Sequence, residues 1–339
     1  MNQKPPVVSV CVANYNGMAV LDDCLKSVLR QQGNIPVEIL LHDDASNDGS
    51  VTHIREHYPD VVLIESDVNV GFCIANNRMV TRARGQFLLL LNNDAALHPD
   101  ALQALLQEAT KLGQPAILTL PQYDATTGAL VDRGCLLDPF YNPVPNLNPN
   151  RADVAMVIGA CLWIPKTLWD ELEGFPEWFG SIAEDMYLCC RARLAGYAVR
   201  ALAVSGYRHW QGKSFGGNKV TAGRLATTFY RRVLSERNKT FVMMITFPAP
   251  LAMLLVPLHL VLLLLEGAAL SLLHLNGSYL QRIYLPVLSA LWRHSRELRA
   301  NRFSAQNSRR ITSADFFSAF DCYPHKLRML WRHGLPILQ

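Results

Sequence analysis

The sequence predicts an α/β fold over its first two thirds, a mostly parallel sheet with helices on both faces, followed by an apolar helical region. Three observations carry this. Between Val7 and Leu120 short β-rich runs alternate with helical periods, the rhythm of strands joined by crossover helices. Half of the residues are hydrophobic and only 18% are charged, which is apolar for a wholly soluble protein. The excess is concentrated between Phe241 and Leu265, a stretch of 25 residues without Asp, Glu, Lys or Arg. At 339 residues there is room for one large domain and an accessory region, and the boundary is placed between 1–238 and 239–339.

The strands are expected at Val7–Ala13, Val37–His42, Val61–Glu65, Phe87–Leu91 and Ala116–Leu120. Between them, Leu21, Cys24, Leu25, Val28 and Leu29 recur at the spacing of one helix face, as do Ala101, Leu102, Leu105, Leu106 and Ala109, so both faces of the sheet are covered. Asp124–Arg151 breaks the rhythm with Gly128, Gly134 and four prolines and reads as a long loop. Order returns at Val154–Ile164, and a helix is expected from Glu184 to Gly196 with Met186, Cys189, Cys190, Leu194 and Tyr197 inward. The apolar stretch is long enough to cross a bilayer, but Pro248, Pro250 and Pro257 interrupt it. A second, weaker stretch, Gly267–Trp292, completes a hairpin or lies in the interface; two buried core helices are the soluble alternative.

Charge and cysteine usage exclude several classes. Arg293–Gln339 carries nine Lys or Arg against Glu297, Asp315 and Asp321, a net +6 that leaves −2 for the rest of the chain. A basic segment after an apolar one suits an anionic membrane leaflet, and no interleaved aromatic platform points to nucleic acid. The eight cysteines show no CxxC and no zinc spacing, so they read as buried hydrophobes in a reducing compartment. The opening MNQKPPVVSV lacks the apolar core of a signal peptide. The expected location is therefore the cytoplasmic face of the cell membrane.

In open α/β sheets ligands bind beyond the carboxyl ends of the strands, and four segments there carry chemistry. After the first strand comes Ala13-Asn14-Tyr15-Asn16-Gly17, which is not the GxGxxG of a nicotinamide enzyme; small and amide-bearing residues let a planar base or ribose approach, although Asn-Gly also makes ordinary turns. After the second strand, Asp43-Asp44-Ala45-Ser46-Asn47-Asp48-Gly49-Ser50 places two carboxylates where an imide N–H or ribose hydroxyl would donate, while helix capping accounts for Ser46, Asp48 and Ser50. The apolar run Phe87–Leu91 ends in Asn92-Asn93-Asp94, a carboxylate suited to Mg²⁺ or Mn²⁺ on a diphosphate. Glu184-Asp185 follows the aromatic Trp178-Phe179, where a desolvated carboxylate would serve as general base, and helix-dipole stabilisation is the plainer reading. His209-Trp210-Gln211-Gly212-Lys213-Ser214 adds an imidazole and a cation.

Together these residues resemble the inverting family 2 glycosyltransferases of the GT-A (Rossmann-like) fold, among them rhamnosyltransferase-like members of bacterial surface-polysaccharide synthesis. The resemblance runs from Val7 to about Asn238 through Asn14-Tyr15-Asn16-Gly17, Asp43-Asp44-Ala45-Ser46, Asn69-Val70-Gly71-Phe72 with Ala75-Asn76-Asn77, Leu90-Leu91-Asn92-Asn93-Asp94, Gly159-Ala160, Glu184-Asp185 and His209. It implies that Ala13, Asn14, Tyr15, Asn16, Asp43, Asp44, Gly71, Asn76 and Asn93 surround the nucleotide sugar, dTDP- or UDP-linked. It implies further that Asp94 and His209 hold a divalent metal, and that Asp185 is the catalytic base supported by Glu184. The acceptor is expected to be a saccharide or a polyprenyl-linked one. Asn92 stands where many members carry the first Asp of a DxD. A silent binding protein on the same fold and a sugar nucleotidyltransferase are the competing readings, the latter lacking its Gly-rich basic loop after the first strand.

Overall fold

The computed structural model describes residues 5–210, 217–221, 224–334 and 337–338. Two compact units divide the chain: Met1–Cys135, Pro145–Ala192 and Tyr197–Ser214 form one, and Leu136–Val144, Arg193–Gly196 and Phe215–Gln339 the other.

In order, the first unit opens β1 (Val8–Asn14), α1 (Met18–Leu29), β2 (Val37–Asp43), α2 (Ser50–His57), β3 (Val62–Glu65), α3 (Phe72–Arg82), β4 (Phe87–Asn92), β5 (Ala95–Leu97), α4 (Ala101–Leu112) and β6 (Ala116–Thr119). All five expected strands are there, each within a residue of its expected ends. β7 (Gln122–Asp124), β8 (Leu130–Asp132), β9 (Cys135–Leu137) and β10 (Pro143–Pro145) come next, then β11 (Cys161–Pro165), α5 (Lys166–Glu171), α6 (Glu184–Leu194), β12 (Ala198–Ala201) and β13 (Tyr207–His209). The long loop expected over Asp124–Arg151 is thus corrected: it holds strands of three residues each, too short to show a period of two in the sequence.

The main sheet has the order β12-β6-β11-β4-β1-β2-β3. Its pairings are parallel except those of β11, which runs antiparallel to β4 and β6. Central β4 explains itself: Leu88, Leu89, Leu90 and Leu91 are all buried, the continuous apolar run of a strand covered on both faces. α1 turns Val20, Leu21, Cys24, Leu25 and Val28 inward, and the last four join Val10, Val12, Leu89, Leu91 and Trp163 in one core. A second sheet, β5-β13-β7-β8, attaches to the residues that follow β4. All eight cysteines are free and only Cys322 is exposed.

The second unit is helical apart from short strands, β14 (Gly217–Thr221), β15 (Arg224–Thr227) and β16 (Ile337–Leu338). Its helices are α7 (Phe229–Thr246), α8 (Leu251–Leu273), α9 (Leu285–Arg293), α10 (Ser295–Asn307), α11 (Ser313–Phe317) and α12 (His325–His333), with a π-helical turn at Leu280–Tyr284 ahead of α9. The apolar stretch Phe241–Leu265 is not one helix. Its first part, Phe241–Thr246, ends α7 and is buried except for half-buried Met244; Pro248 and Pro250 then stop the helix, and the long apolar helix runs on to Leu273, past the expected start of the second stretch. Pro257 is accommodated inside α8.

A buried ionic cluster ties this unit together. Glu236 on α7 receives Lys239 at 2.7 Å, Arg232 at 3.2 Å and Lys326 of α12 at 2.7 Å. Glu266 of α8 takes Arg232 and Lys326, both at 2.6 Å. Removing one partner from such a cluster leaves a charge stranded, a loss of about 3–5 kcal/mol.

Candidate active site

The site forms where β1, β2 and β4 end, and its hub is Asn14. The side chain is 1% exposed. Its Nδ2 donates to Asp43 Oδ2 at 2.9 Å and to Ser50 Oγ at 3.0 Å, with Ser46 Oγ at 3.3 Å, and its Oδ1 accepts from Asn93 Nδ2 at 2.9 Å. One amide therefore fastens three strand ends, which is why its donors and acceptor are all used, as a buried amide requires. Gly17 belongs to the same lock: a Cβ there would meet Asn93 Nδ2 at 2.1 Å and Asn14 Oδ1 at 2.3 Å, so no larger residue fits without breaking the Asn93–Asn14 bond.

Asp43 and Asp44 are both buried, and each holds a loop. Asp43 Oδ1 accepts from Ser46 N at 2.9 Å. Asp44 accepts Val70 N at 2.6 Å on Oδ1 and Gly71 N at 2.9 Å on Oδ2, which draws the turn before α3 onto the end of β2. The N-cap of α2 is Gly49, without a side-chain cap; Asp48 Oδ1, one residue earlier, accepts Ser50 N at 3.1 Å. Tyr15 and Asn16 are exposed and Ala13 is half-buried, and Asn16 is held by its N–H to Ser46 Oγ at 2.9 Å. Asn76 is 1% exposed and donates to Phe72 O of its own helix at 2.9 Å.

Asp94 follows β4 by two residues and is 3% exposed. His209 reaches it because β13 runs antiparallel to β5 with His209 opposite Ala95. Asp94 Oδ1 and His209 Nε2 lie 3.0 Å apart, and Asp94 O accepts Trp210 N at 2.9 Å. Gln211, Gly212, Lys213 and Ser214 lie outside the described residues. Among the described residues no group of three or more His, Cys, Asp or Glu is placed to hold a metal ion, and Asp94 meets His209 as a pair. One carboxylate and one imidazole would supply two of the ligands of a bound divalent cation.

Asp185 reaches the same end of the sheet from α6. Its Oδ2 accepts Gly159 N at 2.9 Å and its Oδ1 accepts Met186 N at 2.7 Å. The next residue along, Ala160, accepts Asn92 N at 3.1 Å, so the loop that orients Asp185 is bonded to the strand that delivers Asp94. Asp185 is half-buried and Glu184 is buried, so of the pair Asp185 is the more accessible. The backbone ahead of them is strained: Ile182 and Ala183 have φ of 71° and 67°, a region that costs a non-glycine residue about 1–3 kcal/mol and concentrates at functional sites. Trp178, Phe179 and Tyr187 stack edge to face around this turn, at 4.7 Å and 5.6 Å.

Two family models match the chain, Glycosyl transferase family 2 over residues 9–145 and Glycosyl transferase family group 2 over residues 87–292, the latter more than half of its length. The chain is a family 2 glycosyltransferase. It is 30% identical over 191 residues to a chondroitin synthase of Escherichia coli, covering 55% of this chain and 26% of that protein. It is 24% identical over 192 residues to an N-acetylglucosaminyl-diphospho-decaprenol L-rhamnosyltransferase of Mycobacterium tuberculosis, covering 48% and 62%. In each case the match spans less than two thirds of the relative. Two solved structures show the GT-A fold: GalNAc-T7 with UDP, GalNAc and Mn²⁺, at a TM-score of 0.57 and 15% identity over 73% of this chain and 49% of that one, and Staphylococcus aureus TarS 1–349 with UDP, at 0.51 and 15% over 89% and 88%.

One acid of this glycosyltransferase was not singled out from sequence. Asp132 at the end of β8 is 3% exposed, and burial raises its carboxyl from 3.8 to about 7 against the lowering effects of Gly134 N and of His209. Its sequence signal is faint: one Asp closing a three-residue strand, two residues before a glycine of φ 69° at Gly134.

Proposed function

We propose that this glycosyltransferase moves a sugar, with inversion, from a dTDP- or UDP-linked donor to a saccharide or polyprenyl-linked hydroxyl in cell-surface polysaccharide synthesis, at the cytoplasmic face of the cell membrane. The observation that carries the reading is the Asn92–Ala160 bond beside the Gly159–Asp185 bond: it ties the segments bearing Asp185 and Asp94 together at the carboxyl ends of the strands, where such folds take ligands. Rhamnose is the sugar favoured, by resemblance to the rhamnosyltransferase relatives.

In this mechanism Asn14, Asp43, Asp44 and Asn93 keep the strand ends in register so that the donor's base and ribose meet Ala13, Tyr15, Asn16 and Gly71. Asp94 and His209 would hold Mn²⁺ or Mg²⁺, which when bound neutralises charge on the departing diphosphate. Asp185, positioned by two backbone N–H groups, takes the acceptor hydroxyl proton. The acceptor oxygen then bonds to the anomeric carbon as the bond to the diphosphate oxygen breaks, in one in-line displacement. Glu184 steadies the first turn of α6 behind it.

A thermal-shift panel of dTDP- and UDP-sugars, each with and without Mn²⁺, tests the proposal. A true donor at about a hundred times its Kd stabilises the fold by ~2.7 kcal/mol. No shift with any sugar nucleotide in either condition would overturn it.

A further inference from the structure

Resting on the membrane part of that proposal, we infer that α8 lies lengthwise in one leaflet of an anionic bilayer and does not cross it. The helix is long and apolar enough for either: 23 residues of mean hydropathy 2.2, about 35 Å at 1.5 Å per residue, against a hydrocarbon core of roughly 30 Å. What decides between them is what the helix is docked on.

α8 runs back along α7 from His259 onward. There, nine residues into the helix, His259 Nε2 meets Thr240 Oγ1 at 2.9 Å. Further on, Glu266 pairs with Arg232 at 2.6 Å. Just past its end the Tyr279 ring lies 5.4 Å from Phe229, the first residue of α7. α7 carries Arg232, Glu236 and Lys239 along this length, and Lys326 of α12 bridges Glu236 and Glu266. To stand α8 across a membrane would carry that whole charged layer into hydrocarbon, where ionised groups are rare and costly. The returning segment 280–293 is about 21 Å long at the helical rise, too short for the second arm of a hairpin, and Gln281 and Arg282 are exposed on it.

The opposite face of α8 is built for lipid. Leu254, Leu258, Val261, Leu265 and Leu272 are exposed and share one stripe. Glu266, the one Asp, Glu, Lys or Arg of the helix, is turned to the ionic cluster. α9 adds a stripe of its own, Leu285, Leu288 and Trp292, the last 81% exposed. Arg282, Arg293, Arg296 and Arg299 are exposed nearby in sequence. Apolar stripe, interfacial tryptophan and arginines together match an anionic leaflet by charge and by polarity.

The experiment uses the full chain in a Cys322→Ser background, since the other seven cysteines are buried. Flotation is measured on phosphatidylcholine vesicles with and without phosphatidylglycerol. Leu275→Cys, two residues beyond α8 and 94% exposed, is then challenged with a membrane-impermeant maleimide added outside. The expected result is flotation on the anionic vesicles, falling about fivefold for each of Arg293, Arg296 and Arg299 changed to Gln, with Leu275→Cys labelled equally in intact and detergent-opened vesicles. Labelling that requires opening the vesicles, with flotation intact, would mean a crossing helix and overturn the inference while sparing membrane attachment. Absence of flotation on either vesicle would remove the attachment itself, and concentration-dependent dimers in its place would assign the face to a second copy of the chain.

Discussion

Changing Asp185 to Asn isolates the proton-transfer step, and its cost follows from two hydrogen bonds. Asp185 accepts from Gly159 N and from Met186 N, one on each oxygen. An asparagine offers one acceptor only, so one of those N–H groups would face an amide nitrogen. A buried donor left unsatisfied costs about 1–3 kcal/mol, which for a domain of this size lowers the melting temperature by roughly 2–4 °C per kcal/mol. The catalytic loss is larger and separable: a positioned general base contributes about 10²–10⁴-fold. Sugar transfer is followed by chromatographic release of the nucleoside diphosphate, and donor binding by the thermal shift that the nucleotide sugar induces. The expected outcome is a protein that still folds a few degrees below the parent and still shifts with donor, while transfer falls by at least about a hundredfold. Turnover within tenfold of the parent would transfer the proton to another group. Loss of the donor-induced shift along with turnover would make Asp185 a structural support of the pocket.

Two other substitutions probe what lies behind the site. Asp44→Asn strands one of the N–H groups of Val70 or Gly71 that the carboxylate now holds and should lower unfolding stability by about 1–3 kcal/mol with no ligand present; an unchanged denaturation midpoint would show that the clamp contributes nothing. Asp132→Asn keeps an acceptor for Gly134 N and removes a titration. Because the folded-state carboxyl is raised from 3.8 to about 7, the native chain binds the extra proton between those values, so the parent loses stability as pH rises from about 4 through 7, by up to ~4 kcal/mol. The variant should lack that decline, and parallel stability curves across this pH window would contradict the assignment.

The strands of the main sheet were legible because burial on both faces writes itself as an apolar run. Phe87–Leu91 is the clearest case, and the chemistry immediately after each strand follows from topology alone. The short strands after Leu120 were not legible, since three residues cannot display alternation, and Asp132 was hidden with them. Asn14 was expected beside the nucleotide sugar, not as the link between strand ends. Its weight comes from Asp43, Ser50 and Asn93, which lie 29, 36 and 79 positions away, and no local pattern announces such a convergence. The apolar stretch was visible, yet where α7 stops and α8 starts was set by Pro248 and Pro250 within it.

Asp43 and Asp44 illustrate how a family motif and a fold can want the same residues for different reasons. A carboxylate has room for about four hydrogen bonds, and each of these uses about half of that capacity: Asp44 spends two on Val70 and Gly71, Asp43 two on Asn14 and Ser46. Holding the loops is thus compatible with holding a nucleoside, and the two tasks reinforce each other. The N–H of Gly71 fixes the turn against which Gly180 O lies, 3.1 Å from where a Cβ at Gly71 would sit, and Gly180 O in turn accepts Cys73 N at 3.0 Å. Gly180 precedes the strained Ile182-Ala183 turn that presents Asp185. A donor that tightened Asp44 would therefore act on a chain of contacts ending five residues from Asp185, the proposed base, giving donor occupancy a structural route toward it.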